Sequence, residues 1–358
     1  MTGTAIAAYI VLFSVTFLIA PLILASLLRK IDLQDKYSSA ELFIYAGGGA
    51  PALIALFIYY LLFLIPGMSE LFYPAAIILL LMLSSFFLRK QIKKMFFELI
   101  EKLKENLNFS SREGVMNILF AAGVLMVFAG GQYLVLHRPL VEHDILEYAT
   151  QAKIFFRDRA LEYLPLRYDE LSGFFYVGLH GFLFIMLSVW EQFFNSCFGL
   201  ESDYLFRSMT NVYGILILLT AYYWLRKIDT RLALISGAVL MLNSGIITTF
   251  LVYHVDMFRI FLLMSSVILM LKAINSGDRL SFLLLGIFSG LSANAHSIGV
   301  FAAFAFVGIV FLLMDGNFLK RVRAALFLSA IILLFGGLHY VVDIFNGTGW
   351  IFKDIKFY

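Results

Sequence analysis

Apolar residues fill most of the chain in runs of about twenty, and the short polar stretches between them are mostly basic. A helix of about 20 apolar residues crosses the hydrocarbon core of a bilayer. The runs predict about ten membrane helices, near 4–28, 41–65, 73–89, 114–136, 206–225, 232–252, 257–274, 279–296, 298–314 and 323–343. The alternating short segments of a membrane β-barrel are not seen. The chain reads as an all-α polytopic membrane protein.

A further apolar run at 174–198 carries Gly178, His180, Gly181 and Glu191. Charge decides how it is placed. If it does not cross, Arg29, Lys30, Lys36, the basic residues of 89–112, Arg226, Lys227, Arg231, Lys272, Arg279, Lys320, Arg321 and Arg323 share one side. That side holds 18 of the 27 basic residues and is cytoplasmic by the positive-inside rule. The run is therefore expected to be a re-entrant or surface-lying helix, its backbone covered by protein. Both termini, the 137–205 segment and the short turn at 253–258 then lie outside, together with all six histidines.

Segment 89–107, "RKQIKKMFFELIEKLKENL", has apolar residues at 92, 95, 96, 99, 100, 103 and 107. That is helical spacing with lysines and glutamates opposite. It is expected to lie flat on the cytoplasmic face, near anionic lipid. It also marks a boundary between a three-helix N-terminal extension, 1–112, and the rest of the membrane domain, 113–358.

Composition sharpens this picture. Hydrophobic residues make up 61% and charged residues 14%, with 38 phenylalanines, where a soluble chain carries roughly a quarter charged residues. The expected partners are accordingly membrane lipids and not nucleic acid. A lone cysteine, Cys197, excludes an internal disulfide and a cysteine-based metal cluster. The first run lacks a preceding basic segment and a small-residue cleavage site, and reads as a retained helix.

Against this background "EHDILEYATQAKIF" (142–155) stands out. Asp144 at a helix start with Glu147 three residues on makes a capping box. Asp256 sits among apolar residues at the outer end of another helix, where a carboxylate is paired, solvated or functional. Two such acids on one side can converge on a cleft. One would take a proton from an acceptor hydroxyl, and the other would hold a cation or the acceptor. His143 beside Asp144, and His254 two residues before Asp256, make a divalent ion such as Mg or Mn an option.

These residues resemble the GT-C superfamily of integral-membrane glycosyltransferases, which use polyprenyl-phosphate-linked sugars. The first outer loop of that family begins with an Asp, followed by Tyr-Ala, Ala and a basic residue. Asp144, Tyr148, Ala149, Ala152 and Lys153 match. "GLHGFLFIML" supplies His180 at a short loop helix, "TTFLVYHVDMFRIFLL" supplies Asp256, and "GIFSGLSANAHSIGVF" ends in His296 where many members have Lys. The match covers about 114–345. Three membrane helices precede it, and the chain ends where many members continue, as in a compact or C-terminally short branch.

The resemblance implies an inverting glycosyltransferase in the plasma (inner) membrane, with an extracytoplasmic site. A sugar would move from polyprenyl phosphate to a lipid, glycan or protein acceptor. Asp144 would be the general base. Asp256, Lys153, Glu147, His180, Arg259 and His296 would bind substrate, with Arg157, Arg159 and Arg167 as further cations. Some family members need no metal; where a divalent ion is used, the residue pattern offers His143 and His254 as its ligands. A transporter or lipid flippase, and a non-catalytic scaffold of the same shape, remain open alternatives.

Overall fold

In the computed structural model the described residues are 3–33, 35–107, 111–137, 143–161, 181–251, 256–337 and 340. They form helices α1 (Gly3–Ser14), α2 (Ala20–Ile31), α3 (Ser39–Leu64), α4 (Phe72–Asn106), α5 (Arg112–His137), α6 (His143–Asp158) and α7 (Phe182–Ser196). Then follow α8 (Tyr204–Arg226), α9 (Thr230–Leu242), α10 (Ser244–Leu251), α11 (Asp256–Ser276), α12 (Arg279–Ala295), α13 (Ser297–Leu313) and α14 (Phe318–Ile332). Among these residues six helical segments are long and apolar enough to cross a membrane: Gly3–Ile31, Ser39–Leu64, Phe72–Asn106, Arg112–Leu134, Tyr204–Arg226 and Asp256–Ser276. The chain is an α-helical membrane protein.

Of the remaining predicted spans, 323–343 runs through α14 and a π-helical turn, Leu333–Gly337, into residues outside the described ones, and the others are shorter helices. The run expected as one span at 232–252 is broken at Asn243, whose backbone is extended (ψ 110°). Its side-chain Oδ1 accepts from Ile246 N at 3.1 Å and caps α10. Asn-Ser at a helix end favours such a local cap over continuing the helix. The apolar helices α12 and α13 have 17 residues each.

A second difference concerns 89–107. Instead of bending to lie flat, this segment continues the preceding span as one 35-residue helix, α4. Met95 is fully buried, and Glu98 meets Ser39 and Arg29 of the neighbouring helices. Packing of Met95, with Ile92 and Leu99 partly buried beside it, takes the place of the membrane surface, while Phe96 and Leu103 stay exposed.

The first span contains a π-helical turn, Val15–Ile19, immediately before Pro21. Proline lacks the N–H that would continue the α ladder, and the turn absorbs the break. Thr16, inside this turn, accepts a hydrogen bond from Trp190 Nε1 of α7 at 2.9 Å.

Side-chain contacts fix the direction of the helices. At one end Glu41 of α3 meets Lys272 of α11 at 2.7 Å and Lys227 after α8 at 3.3 Å. Tyr37, just before α3, is hydrogen-bonded to Ser281 of α12 at 2.5 Å. Arg226 joins Glu113 of α5 at 2.7 Å and Asn106 of α4 at 2.8 Å. This basic end therefore holds the starts of α3, α5 and α12 and the ends of α4, α8 and α11. Their other termini lie at the far end. The basic end is the one the charge pattern predicts to be cytoplasmic.

Buried residues from both sides of position 112 pack together. Residues of α3, α7, α8, α11 and α12 belong to a single buried cluster. Gly48 of α3 shows how tight the fit is. Its carbonyl accepts from Tyr213 Oη at 2.8 Å. A Cβ on it would sit 1.9 Å from the Phe261 ring, and that ring is itself packed against Tyr213 and Phe288. Gly48→Ala is expected to cost about 1–3 kcal/mol, seen as a lowered melting temperature in detergent. An unchanged melt would show that the ring can retreat.

Candidate functional site

The far end gathers the described residues that the sequence singled out. Helix α6 ends there, because Arg159 O accepts from Gly67 N at 2.8 Å in the turn between α3 and α4. Its buried face carries Tyr148, Ala152 and Phe155, and the rings of Phe184 and Phe182 on α7 receive Tyr148 and Phe155. Lys153 lies on the exposed side. Helix α6 begins at His143, so Asp144 is its second residue, within the first turn, and not the cap expected from the sequence. Carboxylates are favoured there by the helix dipole. The side chains of His143, Asp144 and Glu147 lie outside the described residues, as do His180, His254 and Arg167.

Asp256 opens α11 and is half-buried. It forms an ion pair with Arg259, one turn along the same helix. The spacing of three puts both residues on one helical face, so the pair neutralises itself as well as being a candidate substrate contact. Arg157 is likewise paired, with Asp158 at 2.7 Å. Arg159 has a left-handed backbone (φ 52°) and donates to Met68 O at 3.4 Å. These contacts tie both arginines to local structure.

His296 joins α12 to α13 in extended conformation (φ −165°). Its Nδ1 accepts from Ile298 N at 3.0 Å and caps α13. In the neutral ring this places the proton on Nε2. His296 is therefore a structural cap as well as a candidate contact. Gly181, at the start of α7, donates its N–H to Ala295 O at 3.1 Å. A Cβ at Gly181 would lie 1.5 Å from Asn294 O, so only glycine allows this approach.

Helix α7 is the scaffold of this end. Every residue from Phe182 to Glu191 is buried, which rules out a helix lying exposed on the surface. One end of α7 touches the end of α12. Near its other end Glu191 accepts from Leu205 N and Phe206 N, both at 2.8 Å, at the start of α8. Both contacts are at the far end of the bundle, as expected of a protein-covered helix that does not cross.

Glu191 was visible in the sequence only as an acid in an apolar run. Its role depends on α8, which lies beyond any local pattern. Burial pushes its carboxyl up to about 8, against the pull of the two backbone N–H groups. The protonated acid is thus favoured by folding. The contribution is complete below the unfolded carboxyl value, about 4.3, and is lost as pH rises toward about 8. Thermal melts should fall between pH 5 and 8, and Glu191→Gln should flatten that slope. Glu191→Ala strands two buried donors and is expected to cost roughly 3 kcal/mol. Equal pH slopes for the parent and the Gln variant would contradict this account.

Among the described residues no three His, Cys, Asp or Glu side chains converge as a metal site. The metal set expected from His143 and His254 falls outside the described side chains. Comparison with family models, with curated proteins and with solved structures finds no match for the chain.

Proposed function

We propose that the chain is an inverting glycosyltransferase that moves a sugar from a polyprenyl-phosphate donor to an acceptor hydroxyl at the far end of the bundle. The observation that supports this most is placement. The Asp256–Arg259 pair, His296 and the helix bearing Asp144 and Lys153 share one end, opposite the basic end.

In this reading Asp144 takes the proton of the acceptor hydroxyl. The oxygen attacks the anomeric carbon from the face opposite the carrier, and polyprenyl phosphate departs with the bonding electrons. Lys153, exposed on α6, meets the growing negative charge on the departing phosphate. Asp256, held by Arg259, orients the acceptor. The membrane-embedded position suits a donor whose tail stays in lipid. The plasma membrane and an extracytoplasmic site belong to the same proposal, through the basic end facing the cytoplasm.

The test is reconstitution of the full chain in proteoliposomes with a panel of labelled polyprenyl-phosphate sugars. Release of polyprenyl phosphate with inversion at the transferred sugar is the expected result. Movement of the intact lipid across the bilayer without bond cleavage would replace this reading with a flippase. Neither event, across the whole panel, would leave a scaffold.

A further inference from the structure

We propose that the outward face of α4 is a binding stripe for anionic phospholipid headgroups in the leaflet at the basic end. Phe86, Arg89, Lys93 and Phe96 recur at i, i+3, i+7 and i+10, which places them in one row along the helix. All four are exposed, Phe86 at 64% and Phe96 at 49%. Lys90 and Phe97 flank the row and are exposed as well. The Arg89 guanidinium lies over the Phe86 ring at 5.5 Å, and Lys93 Nζ lies over Phe97 at 6.0 Å.

No acidic residue lies between Phe86 and Phe97; the first acids of this half of α4 come after them. Glu98 turns to Ser39 and Arg29, and Glu105 pairs with Lys102 at 2.7 Å. The row thus offers positive charge and aromatic surface, and exposed Glu101 lies beyond its end, one turn past Phe97.

Depth selects the occupant. Tyr73 Oη reaches Ile65 O at 3.4 Å at the far end, and Glu98 meets Ser39 at the basic end, so α4 runs beside the whole of α3. A hydrocarbon core counted from Phe72 takes about 20 residues and ends near position 91. Arg89, Lys90 and Lys93 therefore straddle its edge, where long cationic side chains reach headgroup phosphates while their stems stay in lipid. Aromatic rings are suited to the same layer. Charge and depth together fit anionic phospholipid better than a soluble partner.

The test uses the full chain and two probes, phosphatidylglycerol and phosphatidylcholine, with bound lipid counted by native mass spectrometry across a titration. The parent chain should retain phosphatidylglycerol preferentially, and the preference should weaken with salt. The triple variant Arg89→Gln, Lys90→Gln, Lys93→Gln should lose the preference by at least about tenfold. The charge-preserving variant Arg89→Lys, Lys90→Arg, Lys93→Arg should keep it. A variant at the same end but off the stripe, Lys320→Gln with Arg323→Gln, should also keep it. An undiminished preference in the triple variant, or an equal loss in the off-stripe variant, would overturn the proposal.

Discussion

Asp144→Asn is expected to lower sugar transfer by roughly 10²–10⁴-fold, the usual contribution of a general base. Asparagine keeps the size of the side chain and its hydrogen-bonding oxygen but cannot take a proton at neutral pH. Helix α6 is held against α7 by Tyr148, Ala152 and Phe155, none of which the substitution changes. The loss should appear in kcat with little change in melting temperature. Asp256→Asn separates the two acids. It frees Arg259 from its ion pair and should raise KM for the acceptor more than it lowers kcat. Retained turnover in Asp144→Asn would remove Asp144 from the mechanism. If transfer persisted, another base would have to be sought at the same end of the bundle.

The second large effect concerns the opposite end. Glu41 is 2% exposed and holds two lysines from helices distant in sequence, Lys227 and Lys272. Lys272 Nζ also lies 3.2 Å from the Tyr37 ring centroid, and Lys227 Nζ lies 3.9 Å from that of Trp224. Glu41→Ala leaves two cations facing each other in an aromatic enclosure. Breaking a buried pair costs about 3–5 kcal/mol. Lys227 is 40% exposed and can turn to water, which brings the expected loss to about 3 kcal/mol. Lys272→Met in the same chain should restore part of it, because the uncompensated charge is then gone. Melting curves in detergent for the two single variants and the double variant measure the coupling. A strictly additive outcome would show that Glu41 and Lys272 do not act as a pair.

The helical architecture was largely legible because the bilayer demands long apolar runs and little else imitates them. The places where sequence reading failed share a cause. Asn243 interrupts a run whose apolar average hides a single capping residue. Periodicity in 89–107 identified the apolar face of α4, but the same face serves a membrane surface and a neighbouring helix equally well. Met95 chose the helix. The run at 174–198 is apolar on all sides of α7, which left open whether it is exposed or enclosed. Trp190 bonding to Thr16 and Glu191 capping α8 decide for enclosure. The Asp256–Arg259 pair was readable from its spacing of three. Tyr37 with Ser281, separated by 244 positions, was not, since no local signal pairs them. The assignment of Asp144 rests on the resemblance of its loop and on the helix that carries it.

Enclosure of α7 also constrains biogenesis. Its partners come from the first span through Thr16, from α3 through Tyr59, and from α8 through Leu205 and Phe206. Glu41 waits for Lys272, and Tyr37 for Ser281. The earliest segments to leave the ribosome are thus among the last to find their contacts. A chain arrested before the end of α8 lacks both Lys227 and Lys272 and carries an unneutralised glutamate at the edge of the lipid, a natural handle for insertion chaperones and quality-control proteases.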